Sequence, residues 1–265
     1  MRTASATRAW ALALGLALLV PTGAAAGSTS LAPAGVVDRL PDMKMAKLYG
    51  MDLVRRPNGR VRLHFGTIGW NVGDGPLEVR GRRVDPADDY MQVKQRILRS
   101  DGSSRIRRTS SIMFYATDGH DHWHVNQFMV IELYTRGDPN AHVLGLRKLG
   151  YCLLDARRMP APPPRSPARA VYRDCGHKGD DSVITGLSVG YGDDYPPSFA
   201  HQWVDVTELP AVGVYRICAT VDPLRQFVEK NEGNNQRWTD VRIDKPADDV
   251  DVLRTGVGSC GPTSG

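Results

Sequence analysis

Most of the chain after residue 60 consists of short runs in which apolar and polar residues alternate, and turn residues close each run. The segment VRLHF, residues 61–65, shows this period of two, which places successive side chains on opposite faces of a β-strand. Asp101-Gly102 lies between two further alternating runs and predicts a hairpin. No long segment repeats its apolar residues at the helical period of 3.6. The sequence therefore predicts an all-β fold, an antiparallel β-sandwich with long irregular loops.

The first 26 residues have the pattern of a secretory signal peptide. Arg2 and Arg8 precede an apolar run, Trp10–Val20, and small residues follow this run up to Ala26. The run is too short to span a bilayer, and no later segment is long and apolar enough to do so. We expect cleavage after Ala26 and a secreted protein, extracellular or in the cell envelope, without stable membrane insertion. Retention of the leader as an anchor remains an alternative.

The sequence divides into a leader (1–26), one β domain (27–245) and a polar C-terminal tail (246–265). The domain is close to the upper size for a single β unit. It contains one long segment rich in Pro and charge, Met159–Ser182, for which we predict an irregular loop.

The charge balance is mildly basic. The formal charge of +5 falls to +3 when Arg2 and Arg8 are removed, since the leader has two arginines and no acid. That is too weak to predict nucleic-acid binding. The densest basic stretch, Lys94–Arg108, has two interpretations, a solvated hairpin face or a patch that attracts acidic partners.

Four cysteines are present, an even number in a chain with a secretory leader, so we expect disulfides. Three pairings are possible. Proximity in sequence favours Cys152 with Cys175 and Cys218 with Cys260.

Residues 118–128, DGHDHWHVNQF, place His120, His122 and His124 at every second position. On a strand these three imidazoles share one face and can converge on one metal ion with open coordination positions. Glu132 is a possible fourth ligand. The ligand types suit zinc or copper and leave the choice open.

Several segments together resemble the catalytic domain of lysyl oxidase in its bacterial form, over about Asp42–Ile243. They are HFGTIGWNVGDGPLEV, GHDHWHVNQFMVIELY, RKLGYCLLD, GLSVGYGDDYPPSFAHQWVDVT and GVYRICATVDPLRQFVEKNEGNN.

The resemblance implies a Cu²⁺ ion held by His120, His122 and His124. It also implies lysine tyrosylquinone, a cofactor made by joining a lysine to an oxidised tyrosine. Lys148 fits the family pattern of a lysine four residues before a cysteine. Tyr195 fits the tyrosine position, with Tyr191 as the second choice.

The activity implied is that of a copper-dependent, protein-lysine 6-oxidase-like amine oxidase. Such an enzyme uses molecular oxygen to deaminate primary amines, peptidyl lysine or small amines, with release of aldehyde, ammonia and hydrogen peroxide. Asp194 is the candidate general base, and Asp193 and His201 are alternatives.

Without the resemblance, the histidines also suit a secreted zinc hydrolase, a copper carrier or a non-catalytic binding module of the cell envelope. The chain departs from the animal oxidases at Ile131, where they have a histidine, and in its fewer cysteines. The resemblance is to the bacterial form, and bacteria lack the collagen and elastin on which the animal enzymes act, so these substrates are not carried over.

Overall fold

The computed structural model of the chain describes residues 35–117, 119–136, 142–146 and 150–260. The predicted signal peptide and Lys148 lie outside these ranges.

The described residues form eighteen strands and one 3₁₀ turn, Glu232–Asn234. In chain order the strands are β1 Asp38–Arg39, β2 Met43–Met45, β3 Tyr49–Arg55, β4 Val61–Asn71, β5 Leu77–Arg82, β6 Tyr90–Arg99, β7 Ser104–Tyr115, β8 Trp123–Asn126, β9 Met129–Thr135, β10 His142–Leu146, β11 Gly150–Tyr151, β12 Arg157–Arg158, β13 Ser182–Leu187, β14 Tyr191–Tyr195, β15 Trp203–Asp205, β16 Val212–Val221, β17 Gln236–Asp244 and β18 Asp249–Val257.

The strands form three antiparallel sheets. The seven-stranded sheet has the order β11-β8-β7-β6-β5-β13, with β1 on β6. The five-stranded sheet has the order β10-β9-β16-β17-β18, and the six-stranded sheet has the order β12-β14-β4-β15, with β2 and β3 also on β4. Apolar side chains from all three sheets meet in one core, for example Phe65, Met113 and Ile217. The predicted all-β antiparallel sandwich is confirmed.

No helix in the described part of the chain is long and apolar enough to cross a membrane.

The predicted hairpin is formed by β6 and β7. Leu98 lies opposite Ser104, and Gly102 has φ of 85°, a conformation that glycine adopts without strain. The carboxylate of Asp101 accepts a hydrogen bond from the backbone N–H of Ser103 at 2.9 Å. Outside the turn, β7 alternates exposed and less exposed residues, but its letters do not follow that order, since Ile106 is exposed and Ser111 is buried.

The five-stranded sheet continues past residue 245. Strand β18 pairs with β17 from Arg237↔Val257 to Asp244↔Asp249, within the segment that the sequence assigns to the polar tail. Most side chains of β18 are exposed, which is why its composition gives no apolar alternation.

One of the two predicted disulfides is present. Cys152 and Cys175 are bonded, with 5.8 Å between their Cα atoms. Cys218 and Cys260 are buried free thiols, so the second prediction is wrong for this structure. They lie close together, but Cys218 Sγ donates to the carbonyl oxygen of Cys260 and Cys260 Sγ to that of Arg237, each at 3.5 Å.

The Pro-rich segment between β12 and β13 has no strand, as predicted, and is attached to the sheets at defined points. The disulfide fixes it at Cys175. The buried carboxylate of Asp155 accepts hydrogen bonds from the backbone N–H groups of Val171 and Tyr172, at 2.7 and 3.2 Å. It also accepts from the N–H and hydroxyl of Ser188, both at 2.7 Å. One aspartate thus binds the loop to the residue that follows β13.

Candidate functional site

The three histidines converge. Their ligand nitrogens lie within 4.8 Å of one another. Among the residues that the structure describes, these three histidines form the one cluster of His, Cys, Asp or Glu side chains that could hold a metal ion. His124 is buried, whereas His120 and His122 are partly exposed. Three neutral imidazoles with access to solvent on one side suit a transition metal that keeps coordination positions open.

The backbone that brings them together is not one continuous strand. Only His124 lies on β8; His120 and His122 belong to the preceding loop. Asp121 between them has φ of 51°, outside the extended region. Its carbonyl accepts a hydrogen bond from the Tyr115 hydroxyl at 2.6 Å, and Ala116 N–H donates to the carbonyl of His122 at 2.9 Å. The prediction of a common strand face is therefore wrong in its geometry, although the convergence that it predicted is present.

Trp123 fixes the start of β8. Its backbone N–H donates to the carbonyl of Cys175 at 3.0 Å, and its indole N–H donates to the carbonyl of His177 at 2.8 Å. The disulfide-linked loop thereby holds the residue that stands between two of the histidines.

Glu132 is not at this site. It lies on β9, directly opposite Cys218 in the five-stranded sheet. The possibility of a fourth ligand at Glu132 is therefore wrong, because a strand break separates β8 from β9 and the two strands belong to different sheets.

Tyr195 lies beside the histidines. Its ring is stacked on that of His120, with centroids 6.1 Å apart and planes at 23°, and the edge of the Tyr151 ring lies 4.5 Å away between centroids. The Tyr195 hydroxyl accepts a hydrogen bond from the backbone N–H of Cys152 at 3.0 Å. Tyr191, the second choice, starts β14 and donates its hydroxyl to the carbonyl of Pro167 at 3.3 Å, away from the cavity described next. Of the two tyrosines, the structure brings Tyr195 to the histidines.

A cavity of about 600 Å³ connects these groups with solvent. Two of the three histidines and two acidic residues line it, together with apolar and small residues: Gly119, His120, His122, Cys152, Leu154, Ala156, Asp193, Asp194, Tyr195, Ser198, Phe199 and Ala200. A small substrate in this cavity would contact histidines, a tyrosine and two carboxylates at once.

The two aspartates have different surroundings. Asp194 accepts a hydrogen bond from the Tyr49 hydroxyl, and its second oxygen lies 3.3 Å from Nε of Arg157. Burial, followed by the bond to Asp194, raises the pKa of Tyr49 above its usual value, so Tyr49 stays protonated. Asp193 is more deeply buried, with 5% of its surface exposed. His201 has φ of 62° and its ring lies near Trp203, outside the cavity lining.

Sequence reasoning did not single out Tyr151 or Phe199. Tyr151 is fully buried, and burial raises the pKa of its hydroxyl, which lies near Thr67 and Gln202. Phe199 packs edge-on against both His120 and Tyr195. One signal for Tyr151 is available in the sequence: it is the residue just before Cys152 in the segment that runs from Lys148 to Cys152, where the family pattern has an aromatic residue. Lys148, the first residue of that pattern, lies outside the described residues.

Gly150 explains how closely β11 approaches the site. A Cβ atom at this position would lie 2.6 Å from Cβ of His124 and 2.7 Å from the Phe114 ring. Only glycine lets the strand pair with β8 at this point.

Comparison with known proteins agrees with the resemblance. The family model for lysyl oxidase matches residues 89–251, which include the three histidines, Lys148 and Tyr195. No curated protein matched the chain. Because the family model covers more than half of the chain, the chain belongs to the lysyl oxidase family.

Proposed function

We propose that this protein is a secreted, copper-dependent amine oxidase that deaminates primary amines, on peptidyl lysine or on small molecules, to aldehydes, with release of ammonia and hydrogen peroxide. The observation that carries the proposal is the stacking of Tyr195 on a member of the histidine cluster, in one cavity with two carboxylates. A metal carrier or a hydrolase needs the histidines but has no use for that tyrosine.

The donor set fits copper. Three imidazole nitrogens suit Cu²⁺, which stands at the top of the affinity order for such sites. His120, His122 and His124 would hold the ion, and copper together with oxygen supplies the oxidising power for conversion of a nearby phenol. Tyr195 is the phenol next to the cluster.

Lys148 is the proposed partner of Tyr195 in lysine tyrosylquinone. It stands two residues before Gly150 in the sequence, and Gly150 packs against His124. The cross-link needs an unprotonated amine, because only the neutral form adds to an oxidised ring.

A carboxylate in the cavity would take the proton from the carbon next to the substrate nitrogen. Asp194, the candidate from the sequence, already binds Tyr49 and Arg157. Asp193 is the more buried of the pair and lines the same cavity. We therefore assign proton transfer to Asp193 and treat Asp194 as the residue that positions this edge of the cavity.

Secretion is proposed on two grounds, the leader of residues 1–26 and the Cys152–Cys175 disulfide. Disulfides persist in oxidising compartments and are rare in the cytosol.

The decisive experiment is to load the purified protein with copper under air, treat it with a phenylhydrazine and map the labelled peptides by mass spectrometry. We expect a cross-linked peptide pair that contains Lys148 and Tyr195. Tyr195→Phe must abolish labelling, whereas Tyr191→Phe, on the same strand, must retain it. Separate, unmodified peptides in copper-loaded wild type would refute the oxidase and leave a copper carrier or a binding module.

The two aspartates are compared in the same preparation. Asp193→Asn is expected to lower kcat by about 10²–10⁴-fold with copper content and labelling intact. A larger loss in Asp194→Asn would reverse the assignment.

A further inference from the structure

A row of positive side chains crosses the seven-stranded sheet. Arg80 on β5 lies directly opposite Lys94 on β6, and Lys94 lies directly opposite Arg108 on β7. Residues directly opposite each other project from the same face of a sheet. Lys94 and Arg108 are exposed, and Arg80 is partly exposed.

Two more cations enlarge this surface. Arg82 and Arg96 lie two residues along β5 and β6 from members of the row, so they emerge on the same side. We call Arg80, Arg82, Lys94, Arg96 and Arg108 the cationic face.

One carboxylate lies among these residues. Glu78 accepts from Nε of Arg80 at 2.7 Å and from a terminal nitrogen of Arg96 at 3.0 Å. Arg82, Lys94 and Arg108 have no ion pair with any residue that the structure describes. The cationic face therefore has five positive groups against a single negative one.

A second cavity, of about 350 Å³, adjoins this face at Arg96. Arg39 and Arg165 also line it, with Asp74 and Glu78 as its acids. Asp74 is already paired with Lys230 at 2.8 Å. The cavity thus extends the positive surface into a concave region that can accept a bulkier group.

The cationic face and the histidine cluster are on the same side of the sheet. Phe114 on β7 lies directly opposite both Tyr90 and His124, so the His124 side chain emerges on the face of Phe114. Arg108 lies six residues before Phe114 on β7. Because six is an even number, the two side chains project from the same face of the strand. The register of β6 and β7 shifts between these positions, so at about 3.4 Å per residue the separation is roughly 14 Å counted along β6 and roughly 20 Å counted along β7.

The arrangement of the row is unfavourable without a partner. Like charges directly opposite each other destabilise a sheet. A polyanion that lies across the strands would replace this repulsion with attraction and release bound counterions.

We propose that the cationic face binds a linear acidic polysaccharide. Neighbouring strands are about 4.8 Å apart, so the row presents positive groups at a short repeat. An extended acidic peptide places the carboxylates of one side about 6.8 Å apart, which does not match that repeat. A polysaccharide with an anionic group on every sugar unit offers a denser charge. Binding of this kind is independent of amine oxidation, and it would hold the cavity of the histidine site against an anionic extracellular matrix.

The test uses polygalacturonate as the probe and measures its affinity for the purified full-length protein over a range of salt concentrations. Lys94→Glu/Arg108→Glu removes two contacts of the row. Lys47→Glu/Arg56→Glu is the matched control: both residues are exposed, flank β3, which belongs to another sheet, and give the same change in net charge.

We expect the wild type to bind with a steep salt dependence and the row variant to bind at least about tenfold more weakly, with the slope of log affinity against log salt reduced by about 2. The control variant should retain most of the affinity. Lys94→Gln/Arg108→Gln, which removes charge without reversing it, should lie between the two, and unchanged circular dichroism shows that each variant folds.

Three results would overturn the proposal. The first is absence of binding by the wild type at low salt. The second is an equal loss in the control variant, which would mean attraction by net charge alone. The third is equal or tighter binding of poly-L-glutamate or double-stranded DNA, which would assign the face to an acidic polypeptide or a nucleic acid. Failure of copper-dependent labelling would leave this proposal untouched.

Discussion

Replacing both cysteines of the Cys152–Cys175 disulfide with alanine should lower the free energy of unfolding by an amount set by the length of the loop that the disulfide closes. The two cysteines are 23 residues apart in sequence. For a loop of that length, the entropy that the cross-link removes from the unfolded chain corresponds to about 3.4 kcal/mol at 25 °C. Cys152→Ala/Cys175→Ala should therefore lower the free energy of unfolding by about that amount.

Urea denaturation followed by fluorescence is the appropriate assay, since it gives both the free energy of unfolding and the m-value. The m-value should rise in the variant, because an unfolded chain without the cross-link exposes more surface. The free thiols at Cys218 and Cys260 supply the control. In Cys218→Ala/Cys260→Ala, a reductant must cause the same loss of stability, and in Cys152→Ala/Cys175→Ala it must cause almost none.

A loss below about 1 kcal/mol with an unchanged m-value would refute the reasoning, since the constraint would then not act on the unfolded chain. A much larger loss would mean that the disulfide also holds the folded loop in place. The contact from Cys175 to Trp123 provides a route for such an effect.

Three further changes test other parts of the structure. Lys94→Glu should raise the free energy of unfolding by about 0.2–1 kcal/mol, because it places a carboxylate between Arg80 and Arg108. A lower free energy of unfolding in urea denaturation would contradict the idea that Lys94 is repelled by these two arginines. Burial raises the pKa of Glu229 from 4.5 to about 8, so its contribution to stability is complete below pH 4.5 and is lost as the pH rises to about 8. Glu229→Gln should therefore flatten the plot of unfolding free energy against pH between these values. An unchanged plot would show that Glu229 does not cause this pH dependence. Gly150→Ala should weaken copper binding about tenfold or more in a competition titration with a chelator, because the new methyl group displaces His124, and wild-type affinity would show that β11 can shift freely.

The sequence predicted the sheets well because the period of two is a local property. In β6, the buried apolar residues Met91, Val93 and Ile97 alternate with the more exposed polar residues Gln92, Lys94 and Arg96. The Asp101-Gly102 turn is equally local, since it requires only a glycine with positive φ and an aspartate side chain that binds the backbone two residues later. Features of this kind need no knowledge of distant residues.

Features that depend on distant partners could not be predicted in this way. The alternation of the three histidines indicated a straight strand, but the backbone turns at Asp121, where Tyr115 binds its carbonyl group. The spacing along the chain also predicts that Glu132 shares the face of the histidines. Its true neighbour is Cys218, which is 86 residues later in the sequence and opposite it in the sheet.

The cysteines illustrate the same limit. Proximity in sequence identified the pair Cys152–Cys175 and brought Cys218 and Cys260 to the same region. Proximity does not decide bond formation, since the Cys218 and Cys260 thiols interact directly and are nevertheless unbonded in this structure.

Strand β18 determines where the chain can be shortened. It is the outer strand of the five-stranded sheet, and the charged residues Asp249, Asp251 and Arg254 lie along it. An edge that carries charges resists pairing with other molecules. A chain that ended at residue 245 would make β17 the edge and expose its backbone groups next to buried residues such as Val241 and Ile243. Such a strand is a template for edge-to-edge aggregation, so the polar C-terminal segment protects the protein's solubility.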